Sequence, residues 1–201
     1  MIRNKNKSHT LQYLSYLPDA LALLLFGVPT FFCEELPLAL SLFLAILVHE
    51  AGHILAYLLV GIEWPKLSVE RLGLRLSPSR PMMFYEQFFV ALAGPLCNLL
   101  CCFLLWLLFG FSVPAVLHGL TALFNLLPVF TLDGGQMLEA LLGILCPSLW
   151  QYRIMRFVSF TVIVLGLLFA LGALWLRGQG SYLYFLFFSL LLTHIFGNAS
   201  P

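Results

Sequence analysis

Between Leu38 and Val60 the chain has no lysine or arginine and a single acidic residue, and the same is true between Phe84 and Phe109. A helix crosses the hydrocarbon core of a bilayer with about 20 apolar residues. Runs of this kind decide the solvent before anything else. The 201-residue chain is 61% hydrophobic and 9% charged, whereas an ordinary soluble domain has about 25% charged residues. Too few polar groups exist to cover a globular surface, so the bilayer must serve as solvent. The expected fold class is an all-α polytopic membrane protein, a single membrane-embedded domain. A formal net charge of +1 offers no basic face or stripe and excludes a nucleic-acid binder.

Six candidate spans follow: about Pro18–Cys33, Leu38–Val60, Phe84–Phe109, an interrupted stretch Ala115–Leu145, Met155–Leu176 and Tyr182–Phe196. Residues 1–17 form an N-terminal tail, and 155–197 hold the last two spans. Arg3, Lys5 and Lys7 precede the first run as in a signal peptide. No small-residue cleavage site follows and more spans come after, so the run reads as a retained span. Positive residues set the orientation. With the N-terminus in the cytoplasm, Arg3, Lys5, Lys7, Lys66, Arg71, Arg75, Arg80, Arg153 and Arg156 all lie inside, and only Arg177 lies outside. The stretch Ala115–Leu145 must then cross once despite its breaks. The expected location is a bacterial cytoplasmic membrane.

Between the second and third spans, Lys66–Leu76 alternates with a period of two: Leu67 and Val69 against Ser68 and Glu70, then Leu72, Leu74 and Leu76 against Gly73 and Arg75. Such alternation predicts one or two short strands, a small β-hairpin or re-entrant segment at the cytoplasmic face. An amphipathic interfacial loop is the alternative. The cysteines Cys33, Cys97, Cys101, Cys102 and Cys146 form no C-x-x-C pair and read as free thiols packed like small hydrophobes.

The second span carries Val48-His49-Glu50-Ala51-Gly52-His53-Ile54. Residues four apart share a helix face. Two neutral imidazoles at that spacing can hold one Zn²⁺, and Glu50 can take a proton from water at the metal. Two packing histidines beside a buried glutamate are the bland reading. Ionisable groups deep in a membrane helix cost about 3 kcal/mol each on insertion scales, so they are rarely idle. A catalytic zinc needs a third protein ligand and an open position. Asp19, Glu34, Glu35, Glu63 and Glu86 lie at span ends and Glu70 in a loop. Asp133 and Glu139 are the acidic residues that lie within another span.

Asp133 ends the stretch Asn125-Leu126-Leu127-Pro128-Val129-Phe130-Thr131-Leu132-Asp133 and precedes Gly134-Gly135. Proline and paired glycines break the helix, and irregular backbone at membrane depth is tolerated only beside protein or a wet cavity. Counted from the cytoplasmic span ends, His49, His53 and Asp133 all lie roughly 10–18 Å deep. The alternative for Asp133 is a helix N-cap. Glu139 can hydrogen-bond into the groove or simply pack. His118 and His194 have no acidic or histidine neighbour at ligand spacing and read as packed or interfacial histidines. The small Ala51 and Gly52 would let another helix, expected to be span four, come close to the motif.

His49-Glu50-Ala51-Gly52-His53 together with Leu132-Asp133-Gly134 resembles the site-2 protease family (M50) of intramembrane zinc metalloproteases. Ala93-Gly94-Pro95-Leu96-Cys97-Asn98 resembles that family's G-P-x-x-N element, and the three matches run in family order across residues 38–146. The resemblance implies one Zn²⁺ held by His49, His53 and Asp133. It implies Glu50 as general base and proton donor, Asn98 as a substrate or oxyanion residue, and Asn125 and Pro128 as lining of the substrate groove. Size and layout resemble the compact SpoIVFB-like subgroup, which processes a membrane-associated pro-sigma factor in sporulation. Thr131 departs from a common second proline, and neither a CBS domain nor a PDZ insert is expected. The implied function is regulated intramembrane proteolysis of a membrane-tethered protein, such as a pro-sigma or anti-sigma factor. An inhibitory membrane partner is a further implied contact. The alternative is a non-proteolytic membrane zinc-binding or transport protein. A transporter would space polar residues along a path through the bilayer, whereas here they gather at one depth.

Overall fold

The computed structural model describes residues 36–62, 66–70, 73–77, 81–177, 186–188, 190–191 and 194–195. The expected first span at 18–33 lies outside them, as does much of the sixth. Five helices are bounded: α1 Leu36–Leu59, α2 Phe84–Phe109, α3 Val113–Asn125, α4 Asp133–Leu145 and α5 Ser148–Arg177. Between α1 and α2, strands β1 Lys66–Glu70 and β2 Gly73–Ser77 pair antiparallel, with Leu67 opposite Leu76 and Val69 opposite Leu74. Further helical residues lie between 186 and 195.

Segments Pro37–Leu59, Phe84–Phe109 and Ser148–Leu176 are long and apolar enough to cross a membrane, with mean hydropathy of 1.8, 2.3 and 2.5. The protein is thus a multi-pass membrane protein. The stretch Ala115–Leu145 is two helices, each 13 residues long. Each spans about 20 Å, less than a bilayer core of about 30 Å.

Helix α2 is the hub. It packs against α1, α3 and α4, while α1 also packs on α3, and α4 on α5. Its sequence explains the position. Phe89, Leu100, Phe103 and Leu107 are exposed, while Ala91, Gly94 and Asn98 are buried. A soluble helix would bury the large apolar stripe. In lipid, small residues face neighbouring helices so that backbones can approach, and polar residues turn inward. A methyl group added at Gly52 of α1 would lie 2.7 Å from the Ala93 carbonyl oxygen of α2. The expectation that Ala51 and Gly52 accommodate span four is therefore corrected. Gly52 accommodates the third span, Ala51 is exposed, and Asp133 arrives on α4 across the face of α2.

The connection 126–132 is irregular, so its backbone groups need other partners. Leu126 N–H donates to Ala122 O at 3.0 Å, Leu127 N–H to Phe124 O at 3.1 Å, Val129 N–H to Leu127 O at 2.7 Å and Leu132 N–H to Val129 O at 2.8 Å. Pro128 has no N–H to satisfy. Ser159 of α5, fully buried, completes the set. Its Oγ accepts Phe130 N–H at 3.0 Å and donates to Pro128 O at 3.3 Å. Val129 and Leu132 pack with Ile163, Phe187 and Leu190 in one buried cluster. The bend that carries Asp133 is thus held from behind by α5.

Replacing Ser159 with Ala strands one donor and one acceptor in a dry environment, at about 1–3 kcal/mol for an unsatisfied group. The S159A protein is expected to lose thermal stability in detergent and to lose metal affinity with it. An unchanged melting profile would show that Ser159 does not hold the bend.

Candidate metal centre

His49 and His53 stand one turn apart on α1, and Asp133 is the first residue of α4. His49 Nε2 lies 2.9 Å from Asp133 Oδ2, His53 Nε2 lies 3.3 Å from the same oxygen, and the two Nε2 atoms are 3.1 Å apart. Two atoms each 2.0–2.1 Å from a zinc ion at tetrahedral angles are roughly 3.3 Å apart. The triangle therefore has the dimensions of one face of a tetrahedral site. His49 and Asp133 are buried, and Asp133 Oδ2 has no other hydrogen-bond partner.

The donor chemistry leads to the same reading. His53 Nδ1 is 2.8 Å from Val90 O. A carbonyl only accepts, so Nδ1 carries the hydrogen and Nε2 of the neutral ring presents a lone pair. That lone pair faces another imidazole nitrogen and a carboxylate oxygen. Electron-rich atoms collected at this distance need a cation between them, and two nitrogens with one oxygen suit a divalent transition metal. Among the described residues, these three can hold a metal ion together.

Close helix contact makes the triangle possible. Gly94 of α2 lies against both rings. A methyl added there would collide with His53 Nε2 and come within 2.9 Å of His49 Cε1. At Gly134, a side chain would run into the Leu127 carbonyl oxygen, and at Gly135 into Val129 O. The two glycines let the 126–132 connection fold tightly over the start of α4 and bring Asp133 to the rings.

The remaining expected site residues divide. Glu50 is exposed on α1 and is not one of the ligand atoms. Asn98 is fully buried, with its amide nitrogen 3.5 Å from His49 Nδ1 and its amide oxygen 2.9 Å from His118 Nδ1. Asn125 ends α3 and donates its amide N–H to Thr121 O at 3.1 Å, a bond within its own helix. Pro128 and Thr131 lie half-buried in the irregular connection. Glu139 is occupied away from the triangle: its Oε2 accepts the Gln87 side chain at 3.4 Å, tying α4 to α2. Cys97, Cys101, Cys102 and Cys146 are free thiols.

Sequence reasoning missed three contributors. The Val90 carbonyl is a backbone group and has no residue-type signature. The expectation for His118 as a merely packed histidine is corrected: it bonds Asn98, which in turn approaches a ligand ring. Gly94 was visible inside the Ala93–Asn98 element, but its use as the surface beneath two imidazoles depends on helix packing.

Gly94→Ala is expected to push the imidazoles apart and lower bound metal in the purified protein, and Asp133→Ala should do the same by removing one ligand. Metal analysis after gel filtration checks both. Full metal retention in Gly94→Ala would contradict this packing.

No protein-family model matches the chain. A Synechocystis sp. protein provisionally named zinc metalloprotease sll0528 is 33% identical over 119 residues, covering 51% of this chain and 30% of that protein. The chain thus matches less than a third of that relative's length. Among solved structures, the site-2 protease from Methanocaldococcus jannaschii superposes with a TM-score of 0.62 at 18% sequence identity, over 93% of this chain and 89% of the other. The chain has the site-2 protease fold.

Proposed function

We propose that this protein is a zinc-dependent intramembrane endopeptidase of the site-2 protease type. The observation that carries the reading is the triangle of His49 Nε2, His53 Nε2 and Asp133 Oδ2, built on helices that belong in a membrane. The fold shared with the archaeal protease and the similarity to the cyanobacterial protein support it.

His49, His53 and Asp133 would hold the ion and leave one position open. When bound, zinc polarises a carbonyl and lowers the pKa of water towards neutrality. The chain's own residues do the rest. Glu50, next to His49 and exposed, takes a proton from the attacking water and delivers it to the leaving amine. A substrate helix satisfies its own backbone, so it must present an unwound stretch before its carbonyls can be attacked. The β1–β2 pair has two outer edges with unpaired backbone groups, and an extended segment can add to one of them.

The expected substrate is a membrane-tethered protein. The resemblance to the SpoIVFB-like subgroup makes a pro-sigma or anti-sigma factor the first class to test, with an inhibitory membrane partner as a possible regulator. The positive residues support a cytoplasmic N-terminus and a hairpin on the cytoplasmic side.

Glu50→Gln should lower cleavage of a co-expressed membrane-tethered substrate by about 10²–10⁴-fold while zinc content stays at the wild-type level. Chelation should abolish wild-type cleavage, and added zinc should restore it. Cleavage by Glu50→Gln at the wild-type rate would sink the proteolytic reading in favour of a silent zinc-binding protein.

Leu67→Pro, within β1, removes one backbone donor and distorts the strand pair. It is expected to reduce cleavage without reducing zinc content. Unchanged cleavage would remove the hairpin from substrate binding.

A further inference from the structure

Asn98 and His118 lie behind the metal-ligand triangle and contribute no atom to it. Asn98, on α2, is 0% exposed, and His118, on α3, is 5% exposed. Burying a polar side chain completely in a membrane protein demands partners. The amide has them: His118 Nδ1 at 2.9 Å on one side and His49 Nδ1 at 3.5 Å on the other.

The two histidines of the triangle differ in what holds their rear nitrogen. His53 Nδ1 meets the Val90 carbonyl at 2.8 Å, which can only accept. Its tautomer is therefore set by backbone. His49 Nδ1 meets a side-chain amide, which can accept through oxygen or donate through nitrogen. The choice matters. His49 offers Nε2 to a metal only if Nδ1 carries the ring hydrogen, and that hydrogen needs an acceptor.

As placed, the amide nitrogen faces His49 and the oxygen faces His118. A half-turn of the amide exchanges the two and keeps both contacts. Asparagine oxygen and nitrogen are assigned from their neighbours' needs. With metal ligation at His49 Nε2, the consistent set is His49 Nδ1–H donating to Asn98 Oδ1, and Asn98 Nδ2–H donating to His118 Nδ1. In this arrangement neutral His118 carries its hydrogen on Nε2 and acts as the acceptor that keeps the amide turned.

We propose that Asn98 and His118 form a positioning pair that holds His49 in its metal-binding tautomer and orientation, so that Asn98 serves the ligand ring and makes no contact with substrate. The proposal rests on the metal-binding part of the reading above and not on proteolysis. Outer partners of metal-bound histidines typically contribute about 10–100-fold to metal affinity.

The test is a Zn²⁺ titration of detergent-purified full-length protein against a chromophoric chelator. Asn98→Leu removes the acceptor and should weaken zinc binding by about 10–100-fold. Asn98→Asp accepts at either oxygen, so it should keep affinity close to wild type. His118→Leu frees the amide to turn and should weaken binding in the Asn98 protein. It should have little effect in the Asn98→Asp background, where no amide orientation remains to be set. A purely structural role for His118 would impose the same loss on both backgrounds, and that result overturns the proposal. Wild-type affinity in Asn98→Leu, with only cleavage reduced, also overturns it and returns Asn98 to the oxyanion role. If the wild-type protein itself binds no zinc, the metal centre fails rather than the pair.

Discussion

Two imidazole nitrogens and a carboxylate oxygen lie within 3.3 Å of one another in the buried centre of this protein. Such a group repels itself unless a cation sits among its lone pairs, and the repulsion is strong where water does not screen it. The surrounding structure works to hold these atoms together. Gly94 clears space beneath both rings, Val90 O fixes one ring, and Asn98 lies behind the other. Gly134 and Gly135 let irregular chain fold over the start of α4. Ser159 then satisfies the backbone that this fold leaves open.

The membrane is what makes the cost of such a centre meaningful. Large apolar side chains of α2 face outward, and its small and polar residues face inward. This inversion gives α1, α3 and α4 a common surface on which to meet. The short helices α3 and α4 are consistent with the same logic. Their irregular connection lies against α5 and the helical residues after it, where protein replaces lipid as its neighbour.

Much of this was legible in the sequence because the signals are local. The H-E-x-x-H spacing names two ligands on one helix turn, and a proline and two glycines around an aspartate name a bent third. The boundaries of the second and third spans follow from apolar runs that end in Gly61 and Gly110, both at positive φ in the structure. Alternation over 66–76 falls where β1 and β2 pair. What escaped is non-local. The partner of Gly52 is set by helix packing, and His118 reaches His49 through Asn98 across three helices. Neither relation leaves a spacing in the chain. The role of Glu139 was unreadable for a similar reason, since its partner Gln87 is 52 residues away.

The central claim is that His49, His53 and Asp133 bind one zinc ion together. X-ray absorption spectroscopy at the zinc edge of the purified protein tests it most directly. The account predicts one zinc per chain with two imidazole nitrogens at about 2.0–2.1 Å, a carboxylate oxygen at about 2.0–2.2 Å, and no sulfur in the first shell. A sulfur shell near 2.3 Å, or a shell without imidazole scattering, would contradict it.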